Sequence, residues 1–231
     1  MKTIGLIGGM SWESTQLYYQ QINEGIKQQL GGLHSAKVIL YSVDFAEVEH
    51  FQSHGQWELA GDHLASAGTS LKAAGADFLV LCTNTMHKVA PQIEEKSKLP
   101  FLHIADATGE KITQSGIKTI GLLGTAFTME QAFYKDRLTD KFNLRVITPN
   151  EADRKIVHDI IYHELCLGII SDTSRTEYQR IMKTLVEHGA EGIILGCTEI
   201  TLLVNAGDTS VPVFDTTAIH AQCAVEYALK A

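Results

Sequence analysis

The stretch GIILGCTEITLL, Gly192–Leu203, decides how this chain reads. Its opening residues are apolar and of strand length. They stop at Gly196, and a small polar cluster with a thiol, Cys197-Thr198-Glu199, follows before the apolar pattern resumes with helical character. A short apolar run bounded by glycine and small polar residues is the mark of a buried β-strand. A weaker echo stands at Phe78–Val89, FLVLCTNTMHKV, where the run ends in Cys82-Thr83-Asn84-Thr85. In open parallel sheets, ligands bind beyond the carboxyl ends of strands, so both clusters stand where chemistry is expected.

Outward from these two stretches the chain repeats itself. GLIGGM (Gly5–Met10) matches GLLGTA (Gly121–Ala126), and LPFLHIAD (Leu99–Asp106) is similar to VPVFDT (Val211–Thr216). The separation of Gly8 from Thr83 is nearly that of Gly124 from Cys197. Strands are expected at Thr3–Ile7, Lys37–Val43, Phe78–Leu81, Pro100–Ile104, Thr119–Leu123, Leu144–Ile147, Gly192–Leu195 and Val211–Phe214. Between them lie expected helices. One runs from Trp12 to Leu30, capped by Ser11 or Ser14 and closed by Gly31-Gly32, and another carries Leu59, Leu64, Ala67 and Leu71. The rest are Thr85–Ser97, Glu130–Asp140, Glu151–Leu167, Thr176–His188 and Ala218–Leu229, while Asp44–Gln52 reads only as a connection. Alternating strands and helices of these lengths imply an α/β fold with parallel sheets. The repeat implies two similar Rossmann-like lobes related by a pseudo-twofold axis, residues 1–103 plus 214–231 and residues 104–213, with the active site in the cleft between them. The last helix is expected to return to the first lobe.

Composition narrows the function classes. Of the 231 residues 45% are apolar and 20% charged, which is ordinary for a soluble globular protein. A formal charge of -8 argues against nucleic acid or an anionic membrane surface as partner, because both demand a basic face. No apolar segment approaches the roughly 20 residues of a membrane span. Only Lys2 precedes the first apolar run, which glycines interrupt, so neither a signal nor a transit peptide is expected. The cysteines Cys82, Cys166, Cys197 and Cys223 are dispersed without a C-x-x-C pair, which fits reduced thiols in a cytoplasm and no zinc site. GLIGGM lacks the G-x-G-x-x-G spacing of a dinucleotide site.

Four strand ends, Gly8–Ser11, Thr83–Thr85, Gly124–Thr125 and Cys197–Glu199, would come together if two such lobes faced each other. A pocket of that kind can present one proton-transfer group to each face of a substrate carbon, as inversion of a stereocentre requires. Cys197 suits that role, since a helix N-terminus draws a thiol toward thiolate. The backbone amides at Asn84–Thr85 and Thr198–Glu199, at two helix starts, would receive a substrate carboxylate. Each of these residues also has a plainer role open to it. Cys197 can be a small buried hydrophobe, Thr83 and Thr85 helix caps, and Glu199 a first-turn charge. Cys166 and Cys223 read as core, His87 as a satisfied histidine, and Met10 either as pocket lining or as an apolar plug.

Taken together, GLIGGMSWEST near the start, CTNTMH at Cys82–His87, Gly124-Thr125 and GCTEI at Gly196–Ile200 resemble the aspartate/glutamate racemase family over essentially the full length. The resemblance implies a homodimeric racemase of free amino acids that uses no cofactor and no metal, with two opposed cysteines as acid and base. The second cysteine is present as Cys197. Thr83 stands where the family has its first, in the position set by the following Asn84-Thr85, and Cys82 is one residue away. Neighbouring side chains on a strand point to opposite faces, so Cys82 and Thr83 cannot both face a ligand unless the strand has ended. The catalytic pair implied is therefore Thr83 and Cys197, with Met10, Ser11, Gln52, Asn84, Thr85, Thr125, Thr198 and Glu199 orienting the substrate. Family members specific for acidic amino acids carry basic side chains where this chain has Glu49 and Cys166, which points toward broader specificity. An isomerase or decarboxylase of the same superfamily and a non-catalytic ligand-binding protein are the alternatives.

Overall fold

A computed structural model describes residues 1–230 of the chain. Two compact units are present: Met1–Ile104 together with the chain from His220 onward, and Ala105–Ile219. Each is built on a four-stranded parallel sheet. The first contains β1 (Ile4–Gly8), β2 (Val38–Ser42), β3 (Phe78–Leu81) and β4 (Phe101–Leu102), in the order β2-β1-β3-β4. The second contains β5 (Thr119–Gly124), β6 (Arg145–Ile147), β7 (Ile193–Gly196) and β8 (Val213–Asp215), in the order β6-β5-β7-β8. The two orders are the same topology written twice, as the sequence repeat implies.

In the first unit strand alternation sorts the core into two clusters. Ile4 and Leu6 of β1, with Phe78 and Val80 of β3, pack with Tyr18, Ile22 and Ile26 of α1 (Trp12–Leu30) and with Ala221, Ala224, Val225 and Ala228 of α11 (Thr216–Leu229). Ile7, Leu79 and Leu81 pack instead with Leu64, Ala67 and Leu71 of α3 (Trp57–Ala73) and Ile93 of α4 (Ala90–Ser97). The i, i+4 spacing of Tyr18, Ile22 and Ile26 lines one stripe of α1, and each such burial stabilises the unit by about 1.5–3 kcal/mol. Ser11 caps α1 by accepting from the Ser14 amide, and Gly31 closes it. Helix α11 approaches α1 closely where Gly25 meets Val225; a Cβ on Gly25 would lie 2.8 Å from a Val225 methyl.

The second unit holds α5 (Ile104–Gln114), α6 (Ala126–Glu130), α7 (Ala132–Phe142), α8 (Glu151–His163), α9 (Asp172–Glu187) and α10 (Ile200–Leu203). Asp106 of α5 takes a bidentate ion pair from Arg137 of α7, at 2.5 and 2.8 Å, and a further one from Lys141. Asp153 of α8 is paired with Arg180 of α9 in the same way.

Several elements depart from expectation. Asp44–Gln52, read as a connection, carries the helix α2 (Phe45–Ser53), capped by Asp44. The strand expected at Pro100–Ile104 shrinks to Phe101–Leu102, because helix α5 begins directly at Ile104. The helix expected over Thr85–Ser97 is a 3-10 turn, Thr85–Val89, followed by α4. Beyond Glu199 the helical character expected of the chain is realised in a helix of only four residues, ended by the extended backbone of Val204.

Candidate active site

In the first unit the candidate residues sit at the carboxyl ends of β1 and β3, which are neighbours in the sheet. Gly8 and Gly9 make the turn out of β1. A Cβ on Gly8 would lie 2.3 Å from Cγ2 of Thr15, and Gly9 has φ of 93° with the Val43 carbonyl where a side chain would be. Thr15 locks the turn, receiving a hydrogen bond from the Gly9 amide at 2.8 Å and donating to the Ser11 carbonyl at 2.9 Å. Ser11 is buried at the α1 start. Met10 is buried in the Ile7–Leu64–Met86 cluster, and Gln52 of α2 is buried with its amide donating to the Met86 sulfur at 2.9 Å. Met10 and Gln52 thus share one apolar neighbourhood through Met86.

The end of β3 separates Cys82 from Thr83. Cys82 continues the parity of Phe78 and Val80, lies in the core beside Tyr18, and is fully buried; burial pushes its thiol far above the usual range. Thr83, Asn84 and Thr85 follow, all buried to within 9% exposure. Their turn is held by the Thr83 amide donating to the Leu81 carbonyl, and by His87, whose amide donates to the Asn84 carbonyl. The ring of His87 donates from Nδ1 to the Thr83 carbonyl at 2.7 Å and accepts at Nε2 from the Ile104 amide at 3.1 Å.

In the second unit the equivalent positions are the ends of β5 and β7, paired through Gly124 and Gly196. Thr125 repeats the role of Ser11: it caps α6 by accepting from the Thr128 amide, and its hydroxyl lies 3.3 Å from that of Thr128. The first amide of α6, from Ala126, is taken by Nδ1 of His158, whose pKa burial lowers.

Cys197 follows β7 and is half-buried; Thr198 and Glu199 beside it are buried. The Cys197 thiol donates to Oε2 of Glu199 at 2.9 Å. Its pKa is raised well above the usual thiol range, first by burial, then by the Glu199 carboxylate and by Cys166. The expected activation of the thiol by a helix N-terminus meets a helix only one turn long, while burial first and the Glu199 carboxylate second act in the opposite direction. The same shortness weakens the helix-start amides expected at Asn84–Thr85 and Thr198–Glu199, which front a 3-10 turn and that one-turn helix. Tyr178 of α9, which sequence reasoning did not select, has a hydroxyl whose pKa is raised by burial first and then by Cys197, Glu164 and Cys166, and which donates to the Val157 carbonyl. Nothing local in the sequence links Tyr178 to Cys197, since the rest of α9 and strand β7 intervene.

An open cavity of about 700 Å³ in this unit is lined by Ala126, Glu130, Asn150, Lys155, His158 and Asp159 among others. None of the ten candidate residues lines it. Among the described residues, no group of three or more His, Cys, Asp or Glu side chains is disposed to hold a metal ion, and no helix is long and apolar enough to cross a membrane.

Comparison with known proteins gives a family match to Asp/Glu/Hydantoin racemase over residues 7–224. A curated relative, the broad specificity amino-acid racemase RacX of Bacillus subtilis (strain 168), is 23% identical over 229 residues, 96% of each chain. Among solved structures, one assigned to the Asp/Glu racemases, from Yersinia pestis, is 63% identical with a TM-score of 0.95 and full coverage of both chains. An aspartate racemase homologue from Pyrococcus horikoshii OT3 is 35% identical with a TM-score of 0.85, again covering both chains fully.

Proposed function

The chain belongs to the Asp/Glu/Hydantoin racemase family, and from that premise we propose that it inverts the α-carbon of a free amino acid by cofactor-independent proton transfer, with Cys197 serving one face of the carbon and Thr83 the other. The observation that carries this reading is the Cys197 thiol hydrogen-bonded to the Glu199 carboxylate. Glu199 can accept the thiol proton, which creates the thiolate at the moment a base is needed; the α-proton then restores the thiol, and Glu199 releases its proton to solvent to reset the pair. The thiolate removes the α-proton. Charge then develops on the substrate carboxylate, where preorganised amides and hydroxyls at Ser11, Asn84, Thr85, Thr125 and Thr198 would stabilise it. The Thr83 hydroxyl hands its proton to the opposite face and is reprotonated from solvent.

The two faces are chemically unequal. A hydroxyl is a much weaker base than a thiolate, so the enantiomer whose α-proton points at Cys197 turns over faster. On substrate, Glu49 is exposed on α2 and Cys166 is a half-buried cysteine close enough to raise the Cys197 pKa. Neither supplies the cation that a second carboxylate would seek, and the broad specificity of the Bacillus subtilis relative agrees. The proposed substrates are accordingly small free amino acids beyond aspartate and glutamate alone.

A second reading is favoured by one observation, the single thiol whose proton is directed onto Glu199. A proton donor with no opposing base suffices for a decarboxylase that protonates the carbanion left by CO2 loss. Chiral chromatography of L- and D-amino acids incubated with the enzyme separates the two. Inversion, lowered by about 10²–10⁴-fold in Cys197→Ala, is the expected result. CO2 release from a geminal dicarboxylate with no inversion of any amino acid would select the decarboxylase instead.

A further inference from the structure

We infer that His87 is a positioning residue for Thr83, a neutral imidazole that sets the Thr83–Asn84–Thr85 turn by donating from Nδ1 to the Thr83 carbonyl while its Nε2 is anchored on the Ile104 amide. The inference rests on the proposed role of Thr83 in proton transfer. Both ring nitrogens have backbone partners of fixed sense: a carbonyl can only accept and an amide can only donate. One tautomer alone satisfies both, and a second proton on the ring would face the Ile104 N–H. The ring cannot tilt freely either. It is buried and packed at 4.6 Å from the His103 ring, 5.5 Å from Phe101 and 5.7 Å from His220.

His220 is itself fixed, donating from Nε2 to the Leu102 carbonyl and accepting at Nδ1 from the Tyr18 hydroxyl, each at 2.8 Å. The three histidines therefore form a packed wall under the Thr83 turn, tied to residues 102 and 104, where the chain leaves the first unit, and to residue 220, where it returns. This arrangement matters because nothing regular holds Thr83. Strand β3 has ended at Leu81, and only a 3-10 turn follows. A proton-transfer hydroxyl displaced by about 1 Å loses on the order of 10²-fold in rate, and His87 is the side chain that grips the peptide group of Thr83.

The test uses two conservative variants that each keep one end of the bridge. In His87→Asn the amide nitrogen takes the place of Nδ1 and still donates to the Thr83 carbonyl. In His87→Gln the side-chain oxygen reaches the place of Nε2 and keeps the anchor on Ile104, but the grip on Thr83 is lost. Two rates are followed in deuterated buffer with the faster enantiomer: α-proton wash-out into the same enantiomer, and formation of the opposite one. The expected result is that His87→Asn retains inversion within a few-fold. His87→Gln should lose at least tenfold in inversion while wash-out, which needs only the Cys197 side, stays near wild type with KM unchanged. A proportional fall of both rates in both variants, or inversion retained in His87→Gln, overturns the inference. Absence of both rates in the wild-type enzyme would instead sink the racemase reading. The positioning geometry is then judged by ¹⁵N NMR of the histidine rings under the assay conditions, which should show His87 carrying its proton on Nδ1 alone; a ring protonated at Nε2 or at both nitrogens overturns it.

Discussion

At the scale of single residues, the thiol of Cys197 is governed by two opposed influences of Glu199. The carboxylate raises the thiol pKa, second only to burial, yet it is the group to which the thiol proton is hydrogen-bonded. Glu199→Gln should therefore separate reactivity from catalysis. Its thiol, freed of the neighbouring charge, should be alkylated faster by iodoacetamide at pH 8, whereas inversion should fall by about 10²-fold because the proton acceptor is gone. Parallel increases in both rates would mean that Glu199 only restrains the thiol. On the other face, Thr83→Val keeps the shape of the side chain and removes the hydroxyl. Inversion should drop at least tenfold while label exchange at the Cys197 face continues, read by chiral chromatography and proton NMR. Both candidate proton-transfer residues were legible in the sequence, because each follows a buried apolar run. Thr83 was chosen over Cys82 on the register of the following Asn84-Thr85, and the strand's alternation carries Cys82 into the core. Tyr178 and the bridging role of His87 were illegible, since each depends on contacts between residues far apart in the chain.

At the scale of elements, the site depends on turns more than on helices. Gly8 leaves β1 with Thr15 pressed against it, so Gly8→Ala would push a methyl to 2.3 Å from Cγ2 of a side chain that itself holds the turn. Overpacking of that kind costs about 1–3 kcal/mol, measurable as a lowered unfolding midpoint in urea, and the shift of Ser11 should lower substrate affinity with it. An unchanged midpoint would show that the turn can yield. The strands were nearly all readable, as buried runs ended by glycine or small polar residues leave little ambiguity. Helix α2 escaped notice because only Val48 and Gln52 of its nine residues are buried, too few to write a helical period. Helix α5 escaped because no glycine or turn residue divides it from β4, so the apolar Phe101–Ile104 reads as one strand. After Glu199 ITLL does form the helix it suggests, which Val204 and the Asn205 cap bring to an end after one turn.

At the scale of the whole molecule, the internal repeat explains why one polypeptide carries two matching strand-end clusters, Ser11 with Thr83 on one sheet and Thr125 with Cys197 on the other, each a cap residue beside a proposed proton-transfer residue. The buried histidine wall also makes a prediction about acid stability. Burial lowers the His220 pKa from 6.5 to about 4. A depressed value means that the unfolded chain takes up the proton first, so this contribution is intact above pH 6.5 and is lost as the pH falls toward 4, about 3 kcal/mol in all. His220→Gln, which removes the titrating group, should show a flatter fall of unfolding free energy over that window; an identical slope would place the acid sensitivity elsewhere. The measurement that tests the central claim most directly is proton NMR of a panel of L- and D-amino acids in deuterated buffer, with wild-type enzyme beside Cys197→Ala. Loss of the α-proton signal, faster from one enantiomer and abolished by the substitution, is predicted. Exchange that persists in Cys197→Ala, or no exchange with any amino acid by the wild type, would contradict it.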